Sequence, residues 1–110
     1  MKVAYIFSTN SAHYILSNMI VPQLEQGKHG ADVAGMFFFL DNTFLLVRGN
    51  DVGERLSNIA KDKGMLLMAC DRCAIERKIA DDLVDGAVMG CFPDLYKALN
   101  EAGIDQAITL

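Results

Sequence analysis

The sequence has little of what marks membrane proteins and nucleic-acid-binding proteins. Its uninterrupted apolar runs, such as Met36 to Leu40, are far too short to span a bilayer. Lys and Arg number 10 against 14 Asp and Glu, for a net charge of -4, and they form no basic stripe. The first apolar stretch is short and ends in polar residues, which fits a buried strand better than a signal peptide. We therefore expect neither a membrane protein nor a nucleic-acid-binding protein.

Cysteine is also scarce, and the three residues Cys70, Cys73 and Cys91 lack the number and spacing of a disulfide framework. Free thiols in a reducing cytoplasm are therefore expected. The single C-x-x-C motif offers two ligands where structural zinc needs four, so a metal site would require Cys91 to converge with His13 or His29. The chain's 2 prolines both lie in or near predicted helices, which disfavours a thioredoxin fold.

Common catalytic and cofactor motifs are absent. The sequence contains no Ser-His-Asp order, no H-E-x-x-H motif and no calcium loop. The polar turn Ser8-Thr9-Asn10-Ser11 lacks the glycines of a dinucleotide-binding or P-loop fingerprint. We predict no cofactor and no resident metal.

The residues that are present predict one ordered domain spanning 1–110. Hydrophobic residues make up 52% of the chain and charged residues 22%. Strand-like apolar runs alternate with segments of helical periodicity, which predicts βαβ units. The fold class is therefore α/β, a three-layer α/β/α sandwich with a mostly parallel five-stranded sheet. The predicted strands are 3–7, 32–40, 65–69, 87–89 and 104–110; the predicted helices are 13–26 (interrupted by Pro22), 51–63, 72–84 and 94–102; and 43–48 fits either a strand or a helical turn.

Cys70 is the leading candidate for chemistry because it falls where a predicted strand meets a predicted helix. The start of a helix offers free N–H groups and a partial positive charge, and both favour a thiolate. Arg72 would add to this effect, whereas Asp71 would oppose it. Cys73 lies one helical turn on and could resolve a disulfide or persulfide on Cys70, or could face the core.

Other polar residues follow predicted strands and should share the same edge of the sheet. We expect a pocket there. Its candidate lining residues besides the cysteine pair are Ser8, Thr9, Asn10, His13, Asp41, Asn42, Arg72 and Cys91. Capping and simple packing are the alternative roles for several of them. Apolar side chains concentrate at 37–39 and 44–46, which predicts a homo-oligomer.

Four segments together resemble the DsrE/DsrF-like family of small sulfur-relay proteins. They are Phe37–Leu46, Leu67–Cys70 with Ala74–Ile79, Asp85–Gly90 with Phe92–Leu95, and Ile104–Thr109. The resemblance implies a trimeric or hexameric assembly and a persulfide on the cysteine matched by Cys70. The chain departs from the family pattern at Asn42 and Lys78, where glycine is frequent.

The first functional hypothesis is a cytoplasmic sulfur carrier. Cys70 would hold sulfane sulfur and exchange it with donor and acceptor proteins. Two alternatives stay open at this point. One is a non-catalytic oligomer that binds a small ligand or a metal, and the other is a dithiol redox protein that uses Cys70 and Cys73.

Overall fold

The computed structural model describes all 110 residues and confirms the predicted α/β architecture. A five-stranded, entirely parallel sheet has the strand order β4-β3-β2-β1-β5. The strands are β1 (Lys2–Phe7), β2 (Asp32–Phe38), β3 (Leu66–Cys70), β4 (Ala87–Gly90) and β5 (Gln106–Thr109). The helices are α1 (Ser11–Ile15), a π-helical turn (Leu16–Ile20), α2 (Val21–Glu25), a 3-10 helix (Leu40–Leu46), α3 (Asp51–Lys63), α4 (Asp71–Glu76) and α5 (Phe92–Ala102). No helix is long and apolar enough to cross a bilayer.

The connections divide the helices between the two faces of the sheet. Strands β2, β3 and β4 follow one another on one side of β1, and β5 pairs with the opposite side of β1. Right-handed crossovers therefore put α1 to α3 on one face and α5 on the other. Alternate side chains of the strands follow this division: Phe38 joins the larger buried cluster with α1 to α3, and Phe37 joins a smaller one with α5. Helix α4 lies at the carboxyl edge, with Ala74 in the larger cluster and Cys73 in the smaller.

The break predicted at Pro22 takes the form of a π-helical turn. Helix α1 continues through that turn into α2 without leaving helical backbone angles. Proline lacks the N–H that would bond to the carbonyl one turn earlier, so the preceding turn widens. The helical segment still buries Leu16, Val21 and Leu24 against the sheet.

The ambiguous segment after β2 is a 3-10 helix, and a glycine holds it close to α3. Thr43 donates its hydroxyl hydrogen to the Leu40 carbonyl at 2.7 Å and is fully buried. A Cβ at Gly53 would overlap the carbonyl oxygen of Leu45, so only glycine allows this approach. The 3-10 helix is thus fixed beside the carboxyl ends of the strands.

The helix predicted over 72–84 is much shorter than expected. It runs only from Asp71 to Glu76. The following segment packs against the end of the 3-10 helix instead, where the N–H of Val84 donates to the Leu46 carbonyl at 2.8 Å. Backbone pairing with a distant segment replaced the helical hydrogen bonds that periodicity alone predicted.

Lys78 ends α4 in a left-handed conformation. Its φ is 58°, and its N–H donates to the Ile75 carbonyl at 3.0 Å while the N–H of Ile79 donates to the Ala74 carbonyl at 3.0 Å. This pair of bonds is the Schellman arrangement, in which glycine usually takes the left-handed position. A lysine here carries backbone strain that a glycine would avoid.

Candidate functional site

Cys70 and Cys73 lie together at the carboxyl end of β3. Cys70 is the last residue of the strand and immediately precedes α4, as predicted. Both thiols are buried, with 5% and 7% of each residue exposed, and they share an apolar cluster with Phe37, Met68 and Leu95. The pair therefore faces the α5 side of the sheet.

Burial outweighs the expected activation of the Cys70 thiol. Removal from water raises its pKa, and the neighbouring Cys73 thiol raises it further. The backbone N–H groups of Cys73 and Arg72 act in the opposite direction, although the Cys70 side chain makes no capping hydrogen bond. The six-residue α4 also has a smaller dipole than the long helix predicted from the sequence. In this chain the thiol form of Cys70 is favoured over the thiolate.

The two charged neighbours of Cys70 do not act on it as expected. The Arg72 side chain is 82% exposed, and its Nη1 lies 3.8 Å from Glu76 Oε1. The side chain therefore runs along α4 into solvent. The Asp71 carboxylate accepts the N–H of Arg72 at 2.7 Å, which draws it toward the start of α4. Neither charge is directed at the sulfur.

A separate polar cleft of about 340 Å³ lies where β1 and β2 end. The structure brings together five of the predicted site residues there, together with two that were not predicted. The lining residues are Ser8, Thr9, Asn10, Leu40, Asp41, Asn42 and Arg77. The predicted meeting of strand-end residues at one edge is thus found for the first and second strands.

Arg77 is the functional candidate that sequence reasoning missed. Its Nε donates to the Asp41 carboxylate at 2.9 Å, and its Nη1 donates to the Cys73 carbonyl at 3.3 Å. Its position four residues after Cys73 puts it on the same side of a helix, and this spacing was a usable signal. Arg77 thereby joins the cleft to the backbone of the cysteine pair.

His13 and Cys91 lie outside the set of residues that line this cleft. His13 is half-buried, and its Nε2 is enclosed without a hydrogen-bond partner. Cys91 follows β4 and caps α5 in a reciprocal arrangement, its own N–H donating to Asp94 Oδ2 at 2.9 Å. Cys91 was expected either to face the pocket or simply to pack, and the structure instead gives it this capping contact.

The metal-binding alternative lacks a ligand set in this chain. No three side chains from among His, Cys, Asp and Glu come together as a candidate metal site. The convergence of Cys91 with a histidine beside the C-x-x-C motif, which that alternative required, does not occur. His29 instead lies beside Tyr5, with the phenol oxygen 2.8 Å from its Nε2.

Comparison with known proteins assigns the family. The profile of the DsrE/DsrF-like family matches residues 1–109. The chain belongs to the DsrE/DsrF-like family. A search of curated proteins found no match.

Solved structures share the fold of this DsrE/DsrF-like chain at low sequence identity. The ychN protein from E. coli is 19% identical with a TM-score of 0.70, and the comparison covers 99% of this chain and 97% of that one. MTH1491 from Methanobacterium thermoautotrophicum, a protein of unknown function, is 14% identical with a TM-score of 0.68, covering 99% and 97%. BT1422 from Bacteroides thetaiotaomicron, also of unknown function, is 14% identical with a TM-score of 0.67, covering 99% and 94%. These likenesses establish the architecture.

Proposed function

We propose that the chain is a sulfur carrier that holds sulfane sulfur as a persulfide on Cys70 and exchanges it with partner proteins. The observation that carries the proposal is the position of Cys70, at the end of a buried strand and beside a second thiol, in a DsrE/DsrF-like fold. The reducing conditions that free thiols require agree with a cytoplasmic location.

The transfer is a balanced exchange between thiols and persulfides. The Cys70 thiolate attacks the outer sulfur of a donor persulfide R–S–SH, the donor S–S bond breaks, and the donor leaves as R–S⁻. Cys70–S–SH then gives its outer sulfur to an acceptor thiolate by the same step, which restores the Cys70 thiolate. No external oxidant or reductant is consumed.

The apolar cluster suits storage more than rapid attack. A raised thiol pKa slows the loading step at neutral pH because only the thiolate is nucleophilic. Once formed, the outer sulfur lies about 2 Å beyond the inner one, and it is the atom that an acceptor thiolate must reach. The same cluster keeps water and small thiols away from the inner sulfur.

Mass spectrometry of the intact protein tests the proposal. After treatment with an inorganic polysulfide, the wild type should gain one sulfur atom that a reducing dithiol removes. The Cys70→Ser variant should gain none, whereas Cys91→Ser is the matched control and should load like the wild type. Because the pKa of Cys70 is raised, loading should become faster as the pH rises above neutrality. An adduct that persists in Cys70→Ser would contradict the proposal.

A dithiol redox function is the second candidate because the two buried thiols interact. Cys73 could attack the inner sulfur of a Cys70 persulfide, release HS⁻ and leave a Cys70–Cys73 disulfide, which a reducing dithiol would then have to reopen. If the polysulfide-treated protein loses two hydrogens instead of gaining sulfur, the redox function is favoured over storage.

We also propose that the chain works as a homo-oligomer. An aromatic series runs from the cysteine cluster to the surface through Phe37, Phe39, Phe92 and Tyr96, with successive ring centroids 4.6, 5.2 and 5.9 Å apart. Phe92 is 46% exposed and Tyr96 is 63% exposed. Exposed aromatic side chains that continue a buried cluster fit a contact with a second copy better than a solvated surface.

A further inference from the structure

The two sulfur atoms of the C-x-x-C motif differ in their hydrogen-bond partners. The backbone N–H of Leu40 donates to Cys73 Sγ at 3.2 Å, whereas the Cys70 side chain makes no capping hydrogen bond. This donor belongs to the 3-10 helix, 33 positions earlier in the chain, so it acts independently of the start of α4. A hydrogen-bond donor stabilises negative charge on the atom that accepts from it. Cys73 is therefore the sulfur of the pair that is better placed to carry a negative charge.

Leu40 is held so that its N–H stays directed at the Cys73 sulfur. Its backbone is left-handed with φ 53°, a conformation that side chains of this size rarely adopt. Its carbonyl accepts the hydroxyl hydrogen of the fully buried Thr43 at 2.7 Å. Strained backbone of this kind persists at functional sites where the surrounding structure fixes it. The donor is thus in place before any charge develops on the sulfur.

The Cys70 sulfur has the opposite surroundings. Burial raises the pKa of the Cys70 thiol, and the Cys73 thiol raises it further. In exchange between thiols and disulfides, the sulfur that better stabilises negative charge leaves more readily. When a disulfide between these two cysteines is opened, Cys73 should therefore leave and the incoming group should stay on Cys70.

The two side chains are placed to form such a disulfide. Cys70 is the N-cap residue of α4, and Cys73 is the third residue of that helix. Side chains at these two positions meet across the first helical turn, as they do in a capping box. Both cysteines belong to the same buried cluster, and the Cys73 thiol lies within hydrogen-bonding reach of the Cys70 thiol.

Only a very small nucleophile has access to this pair. Cys70 and Cys73 are 5% and 7% exposed, and neither lines any of the four surface cavities. Their neighbours Phe37, Met68 and Leu95 are apolar. Hydrogen sulfide is smaller than any thiol that contains carbon, and it forms weaker hydrogen bonds than water, so an apolar cluster excludes it less.

We propose that a Cys70–Cys73 disulfide captures hydrogen sulfide and converts it into a persulfide on Cys70, with Cys73 as the leaving thiol. The sulfur of H₂S bonds to Cys70 Sγ, and the S–S bond between the cysteines breaks. The electron pair of that bond goes to Cys73 Sγ, which takes up a proton from H₂S. The sulfide is oxidised by two electrons and the disulfide is reduced.

The cycle needs an oxidant and an acceptor. Hydrogen peroxide, as the oxidant, converts the two thiols back into the disulfide and leaves as two molecules of water. Transfer of the captured sulfur to an acceptor rests on the proposed carrier function. The reverse of the capture step is the release of HS⁻ described for the redox candidate, so the concentration of sulfide sets the direction.

Addition of sulfide to the oxidised protein tests the proposal. The wild type is first treated with diamide, which oxidises thiols and spares Met65 and Met68, and it should lose two hydrogens. After removal of the diamide, one equivalent of sodium sulfide is added without air. The intact protein should then carry one sulfur atom more than the reduced chain. A protein that forms no disulfide, or a disulfide that gains no sulfur, overturns the proposal.

Trypsin separates the two cysteines because Arg72 lies between them. The peptide 64–72 contains Cys70, and the peptide 73–77 contains Cys73. After alkylation with iodoacetamide, the extra sulfur should be found on 64–72 in about tenfold or greater excess, the factor expected from one charge-assisted hydrogen bond to the leaving sulfur. An equal division between the peptides, or an excess on 73–77, overturns the assignment of Cys73 as the leaving thiol.

Two variants complete the test. Cys73→Ser should form no disulfide within the chain and should gain no sulfur from sulfide, and a gain in this variant contradicts the proposal. Cys91→Ser is the matched control, since Cys91 is also a free thiol but lies at the start of α5. It should capture sulfide as the wild type does.

The outcome can be separated from that of the carrier function. Inorganic polysulfide supplies sulfane sulfur directly and needs no disulfide, so Cys73→Ser should still gain sulfur from it on Cys70. If polysulfide loads Cys70 but the disulfide form gains nothing from sulfide, the capture proposal alone fails. If the disulfide form captures sulfide on Cys70 but polysulfide loads neither the wild type nor Cys73→Ser, exchange with sulfane donors fails and capture stands.

Discussion

The two faces of the sheet differ in how completely helices cover them. The face under α1 to α3 is covered by a continuous core in which Leu16, Phe38 and Leu56 are fully buried. The opposite face carries only α5, and an open groove of about 330 Å³ runs between that helix and the sheet beside Leu66 and Leu99. Both cysteines of the C-x-x-C motif lie on this second face. The more fully covered side holds the larger core, and the less covered side holds the cysteine pair that we propose as the carrier site.

The sharpest test of this comparison replaces one leucine on each face. Leu56 is 0% exposed and Leu95 is 3% exposed, so their burial in the single chain is matched. Leu56→Ala should cost about 3–4 kcal/mol because the larger core cannot collapse into the cavity, whereas Leu95→Ala in the smaller cluster should cost about 2 kcal/mol. Urea unfolding measures both values. Equal costs would contradict the difference in closure.

A second pair of variants asks whether another copy covers the open face. Tyr96 on α5 and Tyr14 on α1 are 63% and 64% exposed, so they differ in face and not in accessibility. Tyr96→Glu should weaken self-association by about 2 kcal/mol or more, since a charge replaces an aromatic anchor. Tyr14→Glu should leave it unchanged. Light scattering after size-exclusion chromatography gives the assembled mass, and a single-chain mass for the wild type would refute the homo-oligomer.

A substitution at the end of α4 should change stability by a smaller amount and in the opposite direction, toward a more stable chain. Lys78→Gly should stabilise the chain by about 0.5–1 kcal/mol, because glycine adopts the left-handed conformation without strain but gives up some chain entropy on folding. Lys28→Gly is a control at another exposed lysine, one without positive φ, and it should not stabilise. A loss of stability in Lys78→Gly would mean that the lysine side chain stabilises the fold by more than its left-handed backbone destabilises it.

The sequence was sufficient for the fold and for the location of Cys70, because apolar periodicity and strand-end positions report local structure directly. It was insufficient where distant segments compete for the same backbone groups. Helix 72–84 was predicted from periodicity, but its second half pairs with the segment after the 3-10 helix. The raised pKa of Cys70 depends on the burial of its thiol in the folded chain, and the contact of Arg77 with Asp41 joins residues 36 positions apart. Sequence spacing alone does not contain those facts.

The smallest expected effect concerns the pH dependence of the closed face. Burial lowers the pKa of His29, and the charge of Lys63 lowers it further. Gln23 Oε1 lies 2.9 Å from Nδ1, so Nδ1 carries the hydrogen and Nε2 accepts from the Tyr5 hydroxyl. Because the folded pKa lies below the unfolded value of about 6.5, this stability is present above pH 6.5 and is lost as the pH falls through the folded pKa.

Replacement of His29 should therefore make the free energy of unfolding depend less on pH below 6.5. His29→Gln should cost about 0.5 kcal/mol at pH 7.5, from one exchanged hydrogen bond, and the cost should shrink as the pH falls below 6.5. The variant His13→Gln keeps His29 and should retain the wild-type slope between pH 7.5 and 5.5. Urea midpoints across that range measure the effect. A slope in His29→Gln equal to that of the wild type would show that protonation of His29 is not coupled to folding.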